Sequence, residues 1–581
     1  MTVALVGEGP AAEAVAAALE DVEERVERRE SVAEATLGVV VGSVGDDAFA
    51  AANRSGTPWL AVELGGVGGH AVAEVDASVA GFSPETACYD CLRGRVAANL
   101  DDEADATTDS VDASTARFAG ALAGREAVRV LNGTSNVFGG LVEVPYADRR
   151  VLPLPHCACS GAPDRELRRD HVDRPLEASL GRAEMAVDDR VGIVHEVGEV
   201  ESFPLPYYLS NCCATEGFSD VQAARQAAGV SPDWNAAYMK AVGEGFERYA
   251  AGVFRESEFV RGRAGDVPDA VPLSAFVLPD DAAPDGPLSW VPGEDLHTGA
   301  SVHLPAPRVQ FPLSGGGPTI TTGLGLGNSG VEALVAGLTE VIERDAAMLS
   351  WYSTFDPLGL AVEETATDTS FETMRKRAHS EGLSVTTTLL TQNVDVPVVA
   401  CAVHREGPES ADSGVRRASS GGGEWPQFAL GTAAALDPVA AAESACAEAL
   451  QNWSELDRMG RSRATDAGGR IGHFASLPDA ARAFTDPETT IPITSVASDV
   501  PDADTELETL LTALDKVGLD AYAARLTTRD LDVLGFEAVR VLVPAAQPLF
   551  IDDPYFGERA ESVPESLGFE PRLGREHHPF P

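Results

Sequence analysis

The stretch Gly323-Leu324-Gly325-Leu326-Gly327-Asn328-Ser329-Gly330-Val331-Glu332 runs on into Glu340-Val341-Ile342-Glu343-Arg344-Asp345. Glycines on alternate positions predict a backbone packed closely against its neighbours, and Ser329 three residues before Glu332 is a capping box that opens a helix. Val331, Leu334, Val335, Leu338 and Ile342 then recur at three and four residues, the stripe of a buried helix face. Glu332, Glu340 and Glu343 fall together on the other side. A glycine run ahead of a helix N-terminus suits close approach of an anion. The phrase Glu-x-x-Glu-Arg also occurs earlier, as Glu244-Gly245-Phe246-Glu247-Arg248. There the predicted helix buries Met239, Val242, Phe246, Tyr249 and Val253 and leaves Lys240 with the acids.

Each helix therefore presents two carboxylates at i and i+3 with an arginine beside them. Mg2+ takes carboxylate oxygens together with phosphate oxygens, and arginine forks pair with phosphate. The arrangement suits a metal-bound polyphosphate, hence a nucleotide-using enzyme. The competing reading is a pair of solvated acidic faces, with Glu332 simply closing the helix start. The two copies lie far apart in a chain with no short fixed period, which suggests a duplicated substructure rather than an array.

Composition bounds the rest. A chain of 581 residues predicts two or three domains. The net charge is -48, and Lys240, Lys376 and Lys516 are its lysines. Such an acid excess fits the cytoplasm of a salt-loving microbe, where salt screens self-repulsion. A hydrophobic content of 44% argues against a disordered acidic protein. No basic stripe points to nucleic acid, and no apolar run reaches membrane-spanning length. The N-terminus lacks the basic start of a signal peptide, so the expected location is cytoplasmic.

At the N-terminus, residues 2–7 predict a strand, Gly7-Glu8-Gly9-Pro10 a turn, and the Ala-rich stretch from about Ala11 a helix. Buried-strand runs at 37–41 and 59–62 continue an α/β, Rossmann-like pattern. Gly7-x-Gly9 is weak evidence for a nucleotide, because Ala12 takes the third glycine place. Cys88-Tyr89-Asp90-Cys91 and Cys157-Ala158-Cys159 are two close pairs that suit a tetrahedral zinc site. His156 is an alternative ligand, and buried free thiols are the alternative state. Cys212 and Cys213 read as core.

An Asp- and Thr-rich fragment at 101–113 and an acidic, arginine-rich joint at 161–190 divide the chain into expected domains 1–190 and 191–581. The second is expected to be α+β, with mixed sheets and packed helices at 235–254, 330–351 and 437–456. Strands are expected at 397–403 and 538–543, and surface insertions at 263–300 and 409–426.

These motifs resemble the YcaO family of ATP-using enzymes that phosphorylate a peptide backbone amide. Its pattern of a glycine run followed by N-x3-E-A-x6-E-x2-E-R-D is matched at Asn328, Glu332, Ala333, Glu340, Glu343, Arg344 and Asp345. Its S-x3-E-x2-E-R is matched at Glu244, Glu247 and Arg248, with Lys240 in the serine place. A third motif is matched at Glu448, Ala449 and Gln451, with Ser444 in the arginine place. Gly229-Val230-Ser231 stands where the family has Gly-Lys-Gly.

The resemblance implies Mg2+ on Glu244, Glu247, Glu332, Glu340 and Glu343. It also implies ATP contacts from Lys240, Arg248, Asn328, Arg344, Glu448 and Gln451. Azoline-forming members end in P-x-P-x-P. The ending His577-His578-Pro579-Phe580-Pro581 keeps the last two prolines and implies a catalytic carboxylate on Pro581, a frayed terminus being the alternative. Residues 1–190 resemble the E1-like half found beside YcaO domains in cyclodehydratases, with Zn2+ on Cys88, Cys91, Cys157 and Cys159.

The implied activity is ATP-dependent cyclodehydration of a ribosomally made precursor peptide, turning Cys, Ser or Thr into thiazoline or oxazoline. Backbone thioamidation and a non-catalytic zinc-bearing scaffold are the alternatives. Only Met1 precedes the first strand, leaving no room for a leader-gripping module, so leader recognition is expected to be lost or supplied by a separate leader-binding protein. A flavin dehydrogenase is expected for any oxidation to azole. A homodimer is left open.

Overall fold

Alternating apolar strands and Ala-rich helices at the N-terminus build a seven-stranded sheet. Its order is Arg25–Arg28, Thr2–Val6, Leu37–Ser43, Trp59–Leu64, Ala77–Phe82, Gly140–Val144, Ala147–Arg150. The first four strands run parallel and the last three pair antiparallel. The computed structural model describes residues 2–581 apart from 22–24, 101–110, 146, 160, 162, 280–285, 314–317, 319, 363–369, 406–424, 467–470 and 497–499. Most of the expected 101–113 linker and 409–426 insertion therefore lies outside the described residues.

Three further sheets follow. One has three strands in the order Gln226–Val230, Tyr207–Cys212, Val194–Glu201. The next runs Val260–Gly262, Leu288–Asp295, Tyr522–Arg525, Glu537–Leu542, Leu324–Gly327, with Ser301–Pro305 also paired to Leu288–Asp295. The last has five strands, Phe428–Ala434, Val398–His404, Ser384–Leu389, Leu358–Ala361 and Thr490–Pro492. The segment 263–300 is thus not a surface insertion throughout. Leu288–Asp295 pairs with three strands and buries Trp290, a role its Pro, Gly and Asp content conceals.

Three helices position the candidate site, each packed on the glycine-containing strand that precedes it. Trp234–Gly252 lies on Gln226–Val230, Gly330–Trp351 on Leu324–Gly327, and Pro438–Asp466, kinked at Gly460, on Phe428–Ala434. A Cβ on Gly229 would fall 2.2 Å from the Ala241 nitrogen, and one on Gly431 would fall 2.4 Å from the Ala445 oxygen. Glycine is what lets each strand lie directly on its helix. The second helix buries Val331, Leu334, Leu338 and Ile342, while Val335 is half-buried.

The N-terminal sheet does not stand alone. One apolar cluster runs from Val40, Cys91 and Leu92 to Phe246, Tyr249 and Phe536. Inside it Arg95 and Asp530, both fully buried, form an ion pair. Tyr249 donates its hydroxyl to Asp530 at 2.8 Å, and Arg95 also donates to the Pro153 carbonyl at 3.0 Å. The 161–190 segment is a strap rather than a spacer. Arg168 pairs with Asp532 and Glu537 at 2.7 Å each, and the Asp170 carbonyl accepts the Val331 N–H at 3.1 Å. Among the described residues no helix is long and apolar enough to cross a membrane.

Candidate active site

Three carboxylates are held in the same way. In each case a backbone N–H of the strand lying on the helix, or of the residue just before that strand, donates to a glutamate of that helix. Ala228 donates to Glu244 at 2.7 Å, Gly323 to Glu340 at 2.7 Å, and Thr432 to Glu448 at 2.6 Å. The close strand–helix approach therefore fixes the acids as well as the core. Thr432 also donates its hydroxyl to Glu343 at 2.5 Å, joining the second and third helices.

These acids lie within electrostatic reach of one another. Burial, then the charges of Glu340 and Glu244, push Glu247 up to about 8. Burial raises Glu343 to about 7 and, with the Glu343 charge beside it, Glu448 to about 8. Glu244 is raised for the same first reason. Half-buried carboxylates crowded without a cation favour the proton. A divalent ion would replace those protons, so the donor set fits Mg2+ chemically. The geometry is open, however. Among the described residues, the only group of three or more metal-ligating side chains with donor atoms all within 4.8 Å of each other is the cysteine group.

Each motif arginine is tied back to its own helix. Arg248 pairs with Glu244 and donates to the Gln226 carbonyl at 2.8 Å. Arg344 pairs with Glu340 at 2.9 Å and donates to Thr322 at 2.5 Å. Glu244, Arg248 and Gln451 line an open cleft of about 560 Å3 together with Tyr207, Glu455 and Arg458. That volume is within the range of ligand pockets. Lys240 is exposed and lies within electrostatic reach of Glu448 and Glu443, the residues on either side of Ser444 in the third motif.

Glu332 stands apart from this group. Eight residues at 1.5 Å each put it about 12 Å along the helix from Glu340. It is exposed, and it accepts the Asn328 backbone N–H at 2.8 Å and the Asn328 amide at 3.1 Å. Ser329 accepts the Glu332 N–H. The donors at this helix start are thus answered by the chain's own residues. Asn328 accepts from Arg174 at 3.0 Å and Ser179 at 2.7 Å, both from the strap.

Beyond the motifs the site includes Thr432, Glu455, Tyr207, Arg540, Arg174 and Ser179. The arginine-rich composition of 161–190 is the one sequence signal that pointed to any of them. Tyr207 donates to Glu455 at 2.9 Å, and Gln451 to the same oxygen at 3.1 Å.

The C-terminal tail docks along the second half of the 330–351 helix. Arg575 lies over the Trp351 ring at 3.6 Å, and Trp351 donates to the Glu576 carbonyl at 2.9 Å. Phe580 is buried edge-on against the stacked Trp351 and Phe484 rings, and Pro581 is exposed. His578 is buried and bonded to the Phe550 carbonyl at 2.7 Å. Burial holds it down at about 4, with Arg344 among the charges it feels.

The four cysteines converge as the spacing predicted. Sγ separations are 3.7 Å for Cys88–Cys91, 3.6 Å for Cys88–Cys157 and 3.5 Å for Cys91–Cys159. Tetrahedral zinc with Zn–S near 2.3 Å needs sulfur–sulfur edges of about 3.8 Å. The thiols therefore fit a zinc ion with little movement. His156 is turned away and bonded to Glu258 at 3.0 Å, so it does not replace a cysteine. Cys212 and Cys213 are buried in the core.

The chain is similar to known proteins both in sequence and in fold. The family described as YcaO cyclodehydratase, ATP- and Mg2+-binding, matches residues 228–547, more than half of the chain. The protein belongs to that family, a class of ATP-dependent cyclodehydratase. It is 28% identical over 343 residues to an uncharacterized protein of Methanothermobacter thermautotrophicus, spanning 56% of this chain and 82% of that one. Its fold is similar to that of a heterocyclase in complex with substrate and cofactor (TM-score 0.71, 19% identity, 98% of this chain and 83% of the other). The heterocyclase TruD is similar too, at TM-score 0.64 and 18% identity, over 99% and 82% of the two chains. YcaO from Methanopyrus kandleri, bound with AMPPCP and Mg2+, matches at TM-score 0.51 and 25% identity, over 66% of this chain and 94% of that one.

Proposed function

We propose that this enzyme forms thiazoline or oxazoline rings in a ribosomally made precursor peptide, using ATP to activate backbone amides. The observation that carries the reading is the convergence of three helices on one group of half-buried carboxylates beside an arginine-edged cleft. Glu244, Glu247, Glu340 and Glu343 would hold Mg2+, and Arg248, Arg344, Lys240 and Gln451 the phosphates and nucleotide, with Glu448 orienting Thr432. Glu332 and Asn328 would act from the helix start, steadied by Arg174. When bound, Mg·ATP supplies the phosphoryl group that turns the amide oxygen into a leaving group.

The chain's own work is then positional. A Cys, Ser or Thr side chain of the peptide gives up its S–H or O–H proton as it attacks the preceding carbonyl carbon; phosphate then departs with the former amide oxygen, and the C=N bond forms as nitrogen loses the amide N–H proton. The Pro581 carboxylate is proposed as its acceptor, on a tail that Phe580 and His578 anchor beside the second carboxylate helix. The cysteine group would hold Zn2+ as a structural brace. Residues 1–190 would be an E1-like domain acting as a scaffold, and 191–581 the catalytic domain. The acidic surface suits a halophilic cytoplasm. Any later oxidation to an azole would fall to a separate flavin dehydrogenase.

Mass spectrometry of a candidate peptide incubated with enzyme and ATP tests the reading. Ring formation removes one water, about 18 Da, per residue, whereas thioamidation adds about 16 Da by exchanging oxygen for sulfur. Unchanged peptide alongside ATP-dependent binding would favour the scaffold.

A further inference from the structure

Behind the second Glu-Arg motif lies a small cavity of about 80 Å3 whose lining includes Arg308, Gln310, Thr322, Arg344 and Arg540. None of Arg308, Gln310 and Arg540 belongs to a motif of the family. Arg540 sits on the strand Glu537–Leu542, in register with Leu324 of the glycine run, and is 6% exposed. One of its donors reaches the Ile320 carbonyl at 2.7 Å. Its Nε and Nη1 have no partner among the described residues, and neither does Nε of Arg308. A buried guanidinium with unmade hydrogen bonds is costly, and the usual remedy is an anion that accepts from it.

Charge points the same way. The lining holds Arg308, Arg344 and Arg540 and no carboxylate, so the pocket is cationic, and the attraction of Glu340 and then Glu247 on Arg540 shows that it borders the carboxylate group. A water needs roughly 10–15 Å3 of such space, so there is room for several waters or one tetrahedral oxyanion. Arginine forks match phosphoryl oxygens in geometry and charge.

We propose that Arg540, with Arg308 and Arg344, forms an oxyanion subsite that takes a phosphoryl group. Its source is either the terminal phosphate of bound nucleotide or orthophosphate after transfer. The ligand class rests on the ATP chemistry proposed above, but the pocket can be tested without it.

The first arm is equilibrium binding of inorganic phosphate to the full chain in molar salt, with no nucleotide. The second compares AMPPCP with ADP in the presence of Mg2+. Should the terminal phosphate be the source, Arg540→Met weakens AMPPCP about tenfold and leaves ADP within about twofold. Should released phosphate be the source, both nucleotides bind as before and orthophosphate alone weakens by about that factor. Arg308→Gln, at a half-buried position, is expected to shift the same ligand by about threefold and guards against misfolding of the buried variant. Unchanged affinity for both phosphate and AMPPCP in Arg540→Met, including no phosphate binding by either protein, overturns the proposal. Phosphate binding at Arg540 in a chain that hydrolyses no ATP would leave the pocket standing and remove the cyclodehydratase reading.

Discussion

Replacing Asp530 by Asn tests how the N-terminal sheet is fastened to the catalytic half. Asp530 is fully buried and accepts from Arg95, from the Tyr249 hydroxyl at 2.8 Å, from Thr528 and from the Leu531 N–H at 3.0 Å. Arg95 comes from the helix that starts at the first cysteine pair, and Tyr249 follows Arg248 on the first carboxylate helix. Asn keeps the shape but leaves Arg95, also fully buried, without a counter-charge. Removing one partner of a buried pair costs about 3–5 kcal/mol, most of it the stranded charge. We expect Asp530→Asn to lower unfolding free energy by about 4 kcal/mol in urea titrations in molar KCl. The apolar double variant Arg95→Met, Asp530→Leu should recover at least half of that loss, because no charge is stranded. A cost below about 1 kcal/mol for Asp530→Asn, or no recovery in the double variant, would refute the argument.

Other expectations follow from separate parts of the molecule. Purified protein should carry about one zinc per chain by elemental analysis, and Cys88→Ser with Cys91→Ser should lose it and destabilise the fold. Full stability with no bound metal would count against the brace. His578 is held neutral, its folded value of about 4 lying below the ordinary 6.5. Its contribution is therefore complete above pH 6.5 and is lost as pH falls toward 4. Between pH 7 and 5 the unmodified protein should lose about 2 kcal/mol more than His578→Gln, and parallel pH curves would contradict this. Lys240 lies near both acids that flank Ser444. Lys240→Ser should weaken ATP about tenfold, and adding Ser444→Arg should restore most of it; failure of that rescue would mean the two positions do not share a cation.

How much of this could be read from sequence depends on the range of the interaction. Helix boundaries at 234–252 and 330–351 follow from apolar stripes and the Ser329 cap, which are local. The four cysteines were legible because thiols at close spacing have few other uses. The glycine run, by its place ahead of a helix, suits an anion cradle. Its main work is to let Leu324–Gly327 lie on the following helix, where a Cβ on Gly325 would meet the Ala333 oxygen at 2.1 Å. The Thr432–Glu343 bond, the Arg174–Asn328 bond and the Arg540 cavity join segments 89, 154 and about 200 residues apart, so no local pattern encodes them. Leu288–Asp295 was missed because its neighbours in the sheet, not its composition, make it a strand.

The central claim is that acids from separate helices act on one Mg2+-bound triphosphate. Glu343 tests it most directly, since it sits on the second helix and is bonded to Thr432 beside the third. ATP hydrolysis by the purified chain in molar KCl should require Mg2+, and Glu343→Gln should lower its rate by about a hundredfold or more. Turnover in Glu343→Gln within about threefold of the unmodified protein would contradict the account.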